Sequence, residues 1–251
     1  MISYTKLTKQ KNFKKTSAFT LVEVLIVVII IGILVSSLSF NFTPNRLELA
    51  RDQLIKDIKY TQSLALKDDK YIPFPLSNSK KDLNQSKYWF KSWWQLRITD
   101  SNDTIYYYIF SDKADSDTTN FDKNYDEQSE LALNPLTKKY FIGVPQFINQ
   151  KYSHELNLSL YGVKRVEFSG YSASLMNGNK GDRIRLLFDN LGNVYQDEGL
   201  KGDGGDINPL DSKRYLLTKN VKIKLCKDIN CNKCVAIEIS PFGNVEKSNC
   251  N

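Results

Sequence analysis

Four cysteines, Cys226, Cys231, Cys234 and Cys250, fall within the last 26 residues of a 251-residue chain. Thiols this close can be oxidised in pairs or can hold a metal as thiolates, and the two outcomes ask for different spacing. Structural zinc sites pair closely spaced ligand knuckles. Here a single CxxC, Cys231 to Cys234, is present, so the metal signal is weak and zinc is the lesser alternative. Disulfides form in oxidising compartments, and four cysteines allow three pairings that sequence does not separate. If 221–226, 234–239 and 244–249 form a meander, Cys250 lies near Cys234. That arrangement favours Cys234–Cys250 with Cys226–Cys231, as staples of a C-terminal sheet.

Other residue types capable of chemistry are scattered. Trp89, Trp93 and Trp94 interleave with Lys87, Lys91 and Arg97, a mixture that can stack and neutralise single-stranded nucleic acid. On one strand, however, alternate residues face opposite ways, which divides aromatics from cations and favours core packing of the tryptophans. The acidic stretch Asp112 to Glu130 and the turn Gly202 to Asp206 offer oxygen ligands of the kind calcium takes, but neither has a recognisable loop spacing, and both read as solvated loops. His154, the single histidine, has no Ser or Cys pattern beside it and reads as a surface residue. No P-loop, dinucleotide fingerprint or paired metal-binding histidines occur. The chain reads as a non-enzyme, without cofactor or metal.

One carboxylate stands apart. From Phe19 to Phe40 every residue is uncharged except Glu23. A helix of that length spans roughly 33 Å, enough to cross the bilayer hydrocarbon. A carboxylate inside an apolar span costs a few kcal/mol on insertion scales, roughly 3, so it marks a function or a partner. Ahead of the span lie Lys6, Lys9, Lys11, Lys14 and Lys15 with no acid, which orients the remainder away from the cytoplasm. They also carry most of the formal charge of +7. Without these five of the 35 basic residues, 30 face 28 acidic ones. The basic balance is an address label rather than a nucleic-acid footprint. An ordinary signal peptide fits poorly, because the candidate small residue precedes the apolar run instead of following it.

The segment Lys14 to Glu23, with Ala18 followed by Phe19-Thr20-Leu21-Val22-Glu23, resembles the type IV prepilin signal. That signal is a short basic leader and a small residue, followed by Phe-Thr-Leu-(Ile/Val)-Glu opening an apolar helix. The resemblance implies that prepilin peptidase cuts after Ala18 and methylates the amine of Phe19. Glu23 would then pair with the N-terminal amine of a neighbouring subunit, because a buried carboxylate needs a cationic partner. The family usually has Gly before the cut where this chain has Ala18. It further implies as partners the prepilin peptidase, other pilins or pseudopilins and an inner-membrane assembly platform. The expected location is the inner membrane, single-pass, with the C-terminal domain periplasmic, and then a pilus or pseudopilus filament.

The rest of the chain must supply a domain for that anchor. Pro44 suits the first turn of a second helix, with Thr43 as its cap. Over 46–67 the residues Leu47, Ala50, Leu54, Ile58, Thr61 and Ala65 recur every three to four positions, the stripe of an amphipathic helix. Beyond Lys67 strands are expected at 88–99 and 104–110, joined as a hairpin by the turn residues at 100–103. Further strands are expected at 156–160, 163–169, 183–188, 193–196, 215–225, 234–239 and 244–248. Two segments, Leu187 to Val194 and Ile237 to Val245, share a strand, a Gly-Asn turn and a returning strand, a common hairpin design rather than a repeat.

The fold class is therefore α+β, a helix packed on a mainly antiparallel sheet. The organisation is a leader at 1–18, helix at 19–67 (transmembrane 19–40, amphipathic 46–67) and an exported β-rich domain at 68–251. The order of amphipathic helix, Trp-rich strand and terminal Ile-Ser-Pro-Phe-Gly-Asn-Val hairpin resembles the minor pseudopilins of the GspH/FimT type. The polar insertions 76–87 and 112–130 account for the extra length. The function this implies is a minor pilin or pseudopilin of a type IV pilus or type II secretion system. The alternative is a minor pilin that binds DNA for natural transformation. Relatives that do so use a C-terminal arginine motif, which 243–251 lacks and which Arg183 and Arg185 do not match in position. Nucleic acid is thus a partner of the lesser reading, and a membrane-tethered periplasmic enzyme is the remotest.

Overall fold

The computed structural model describes residues 19–38, 45–101, 103–114, 124–145, 151–169, 174–176, 183–197 and 216–250. The chain divides into two compact units, residues 1–43 and 44–251. In the first, helix α1 runs Leu21–Leu38 and is apolar on all sides, with Glu23 its acidic residue. A helix without a polar face has no preferred side to turn to water. Its described side chains from Leu21 to Val35 are indeed exposed along their whole length. Among the described residues no helix is long and apolar enough to cross a membrane. Residues 39 and 40 of the expected span lie outside them.

The second unit opens with α2, Arg46–Lys67, whose N-cap is Asn45, its side chain accepting from the Leu47 N–H. The expected cap Thr43 and Pro44 lie outside the described residues, and capping falls instead to the Asn immediately ahead of Arg46. The expected stripe is the buried one, Leu47, Ala50, Leu54, Ile58, Thr61 and Ala65, with Asp57 added. Burying each Leu or Ile of this stripe is worth about 1.5–3 kcal/mol, which holds a helix that propensity alone would leave marginal.

Among the described residues nine strands follow: β1 Trp94–Ser101, β2 Thr104–Phe110, β3 Arg165–Phe168, β4 Ser174–Met176, β5 Arg183–Phe188, β6 Val194–Asp197, β7 Val221–Cys226, β8 Cys234–Ile239 and β9 Val245–Ser248. They form two sheets, ordered β2-β1-β5-β6 and β4-β3-β7-β8-β9. Every strand pair in them is antiparallel. Helix α2 contacts β1 and β5 of the first sheet and β7, β8 and β9 of the second. One apolar cluster takes Leu54 and Ile58 from the helix, Leu96, Ile98 and Phe188 from the first sheet, and Ile223 and Ile237 from the second. The α+β class expected from sequence is the observed one.

Three of the expected strands need correction, and two elements lie outside the expectations. The segment from Tyr88 is not strand until Trp94, because Trp89–Ser92 is a 3-10 turn. That turn lets Phe90 and Trp93 form a small core with Tyr88, Trp89 and Tyr195, contacts an extended chain would split between two faces. The polar insertion 76–87 contains a helix, α3, Lys80–Lys87, capped by Ser79 through the Asp82 N–H. Residues 154–161 are 3-10 turns, His154–Leu156 and Leu158–Tyr161. Their Leu156 and Leu158 enter the main core, and the turn ends at Gly162 in the left-handed region. Finally, β4 is a strand that the sequence pattern does not announce, and the strand expected over 215–225 begins at Val221, with Leu216 held earlier by a bridge to Tyr195.

The first sheet is covered on both faces. Ile105, Tyr107 and Ile109 of β2 face the main core. Tyr106, Tyr108 and Phe110 pack with Leu131 and Ile142. Strand β1 is correspondingly buried through its interior, charged residues included.

Candidate functional site

The N-terminal candidates are local in space as in sequence. Ala18 lies outside the described residues, while Phe19 is 81% exposed ahead of α1. Glu23 reaches back to Thr20: its Oε2 accepts from the Thr20 N–H at 3.0 Å and from the Thr20 hydroxyl at 3.2 Å. The Glu23 N–H in turn donates to the Thr20 hydroxyl oxygen at 3.3 Å. This is a capping box, two orphan donors of a helix start satisfied reciprocally. Thr20 is a residue that sequence reasoning misses. The signal is there, since Thr-x-x-Glu before an apolar run is the capping-box spacing. Among the described residues, then, the Glu23 carboxylate has hydrogen bonds and no cation.

The four cysteines converge on one end of the second sheet. Cys226 is bonded to Cys231 and Cys234 to Cys250. Cys226 and Cys234 are also register partners across β7 and β8. Glu167 has an oxygen close to the Cys226 and Cys231 sulfurs, the one such metal-capable group among the described residues. As disulfides those sulfurs are not thiolates, and metal binding needs thiolates. Glu167 is moreover paired with Arg165 at 2.7 Å.

The mixed aromatic and cationic candidates are largely internal. Trp93 is buried, Trp89 and Trp94 are half-buried, and the Trp94 indole N–H donates to Asp68 at 2.9 Å. Lys87 and Lys91 both lie over the Tyr88 ring. Arg97 is 1% exposed and donates to Asn124 at 2.6 Å. It stands opposite Arg185 in the β1–β5 register, and Arg185 is buried too. A phosphate backbone could reach neither guanidinium without opening the sheet's outer cover. His154 is exposed, its ring tilted against that of Tyr152 with centroids 4.4 Å apart.

The acidic stretch behaves differently from a solvated loop at its ends. Asp112 and Glu130 are buried, and the Glu130 carboxylate accepts backbone N–H bonds from Lys113, Asp126 and Glu127. Burial nevertheless pushes its pKa up. It ties the ends of this segment together rather than offering oxygens to an ion. Residues 115–123 and the turn Gly202 to Asp206 lie outside the described residues.

Two polar residues that sequence reasoning misses hold α2 in place. Asp57, 1% exposed, accepts from the Tyr107 hydroxyl at 2.7 Å and from the Gln53 amide at 2.9 Å. Burial raises its pKa to about 6 against the pull of those two donors. Burial also raises that of Tyr107. Gln62 donates to the Gly192 carbonyl at 3.1 Å and the Phe242 carbonyl at 3.3 Å. It thereby joins the β5–β6 and β8–β9 turns, the two hairpins that share a Gly-Asn motif. Both glycines have positive φ, +83° and +75°, and a Cβ on Gly243 would lie 2.1 Å from the Gln62 nitrogen. Glycine is required there for conformation and for space alike.

Residues 13–39 match the family model described as the prokaryotic N-terminal methylation motif. No curated protein and no solved structure matches the chain significantly.

Proposed function

We infer from the prepilin-type methylation motif at residues 13–39, which marks this chain as type IV pilin-like, that it is a filament subunit. Such a signal implies processing by prepilin peptidase, anchoring in the inner membrane and assembly with other pilins. The cut falls between Ala18 and Phe19, and the amine of Phe19 is methylated. Glu23 then exchanges its bonds to Thr20 for the amine of a neighbouring subunit. The exchange is favourable because α1, apolar on every side, buries that carboxylate once it leaves water, and burial without a cation is costly.

The finer role is that of a minor pilin or pseudopilin that initiates or caps a type IV pilus or a type II secretion filament, working with an inner-membrane platform. The order of α2, the aromatic β1 and the terminal β8–β9 hairpin supports a GspH/FimT-type subunit. The disulfides support a periplasmic domain. The DNA-binding alternative gains nothing from Arg97 and Arg185, which are inside the fold. The single observation that carries the reading is the motif with Glu23 as the fifth residue after Ala18.

Mass spectrometry of filament-incorporated protein tests it. An N-terminal methyl-Phe19 is expected, and an intact Met1 overturns it. Deleting the gene and scoring surface filaments, DNA uptake and secreted proteins in one strain then separates the two filament systems. Lost filaments or DNA uptake with normal secretion assigns a minor pilin. Lost secretion with intact pili assigns a pseudopilin.

A further inference from the structure

The cysteine-stapled end of the second sheet carries a groove of about 540 Å³. Its lining joins the start of α2, at Asn45 and Leu47, to the β7–β8 turn, at Lys227, Asn232 and Lys233. Three observations bear on what meets it.

The first is its place in the chain. Residues 39–44 are all that separate Leu38 from Asn45, about 25 Å of fully extended backbone. On the anchoring reading, the groove is therefore lined in part by the first described residues that follow the membrane segment in sequence, with six residues between. The second is charge. Lys227 and Lys233 are exposed on the turn. Lys164, also exposed, sits beside them, its N–H donating to the Cys226 carbonyl. Arg46 is exposed at the first residue of α2. Against these four cations stand Glu48, Asp228 and Glu167, the last already paired with Arg165. The Asp228 carboxylate is engaged within the turn by the N–H groups of Asn232 and Lys233 at 3.1 Å each. The third is the tip. Ile229 stands 62% exposed between the two lysines, on a turn closed by Cys226–Cys231 and tied to the C-terminus by Cys234–Cys250.

An apolar tip flanked by lysines, on a loop that loses little freedom when it docks, is the pattern of an interfacial membrane contact. Lysine stems lie along apolar surface while their ammonium groups reach phosphates. We propose that the β7–β8 turn and its groove dock on an anionic phospholipid surface, with Lys227 and Lys233 on headgroup phosphates and Ile229 in the interface. The docking rests on the membrane-anchoring reading above. It would fix the orientation of the domain before assembly and be given up when the subunit is extracted into a filament.

The test uses the full chain reconstituted in vesicles of zwitterionic lipid alone or with added anionic phospholipid. Flotation and amide hydrogen exchange are both read. Slower exchange of 226–234 is expected with anionic lipid only, with the Gly192 and Gly243 turns unchanged as an internal control. Lys227→Gln and Lys233→Gln should each reduce the protection roughly fivefold, the worth of one cation near an anionic surface. Ile229→Asp should abolish it without unfolding, since the side chain is at the surface. Exchange that is the same in both vesicle types, from a chain that floats, overturns the docking alone. A chain that floats with neither vesicle overturns the anchoring reading and the docking with it. Protection that appears only as protein is crowded on the vesicle assigns the groove to a neighbouring subunit and overturns the lipid proposal.

Discussion

Glu23 and Asp57 are both carboxylates set in helices among apolar neighbours, and their surroundings could hardly differ more. Glu23 lies in α1, which has no core of its own, and its partner is a residue three positions away. Asp57 lies in α2, and its partner Tyr107 comes from β2, fifty positions along the chain. A helix that buries one stripe can complete the hydrogen bonds of a buried acid from within the same fold. A helix that is apolar all round has no such stripe to bring a partner to its acid. The acid in α2 is thus an internal tie, while the acid in α1 is, on the proposed function, an unfinished interaction awaiting another molecule.

The contrast can be broken most sharply at Glu23. On the proposed function, Glu23→Ala removes the chain from filaments almost completely while leaving the melting temperature of the domain unchanged. Immunoblots of sheared filaments together with thermal denaturation check this, and normal incorporation would dissolve the distinction between the two acids.

The next effect is opposite in kind. The Asp57 carboxyl is raised from 3.8 to about 6 in the folded protein, so between those values the folded state holds a proton that the unfolded chain has released. Stability on this account is fully present below about pH 4 and declines as pH rises through about 6. Asp57→Asn, which needs no proton, should therefore stabilise the domain above pH 6 by up to about 3 kcal/mol and flatten the profile between. Chemical denaturation across that range is the measurement, and a variant less stable at pH 7 contradicts it.

Tyr107→Phe sharpens the same point from the other side. It takes a donor from a buried carboxylate and should cost about 2 kcal/mol at pH 7, where the acid is charged. The loss should shrink toward pH 4, where it is neutral. Smallest is Thr20→Val, which removes the capping hydroxyl and should cost about 1 kcal/mol of local helix stability at the start of α1. Amide exchange of residues 21–24 in micelles would register it, and the folded unit at 44–251 should not.

Patterns with a short period are legible in the chain itself. Six of the seven buried positions of α2 follow from a repeat of three to four residues. The seventh, Asp57, is hidden because an acid on an apolar stripe reads as solvent-facing. The β1–β2 hairpin follows from turn residues flanked by β-branched and aromatic runs. Its expected first residues are not strand, although Trp and Phe favour strands in general, because Phe90 and Trp93 turn together to meet Tyr195. Segment 80–87 gives no helical signal, since seven of its eight residues are polar and carry no apolar period. Its helix follows instead from the Ser79 cap. In the candidate site, Glu23 and Phe19 stand out in sequence because their spacing is local. Gln62 does not, because it bonds turns 130 and 180 positions away.

The apolar helix with its lone acid, the striped helix behind it, the antiparallel hairpins and the clustering of cysteines at one end are all written in the order of residues. They are set by neighbours along the chain and by the transfer of side chains from water. Other features emerge only in three dimensions: which distant strands meet, the facing of Arg97 and Arg185 under cover, the bonds of Gln62 to two hairpin turns, and the completion of Asp57 by Tyr107. Those choices depend on distances between residues far apart in sequence, where local preference is silent and the packing of one core selects a single arrangement.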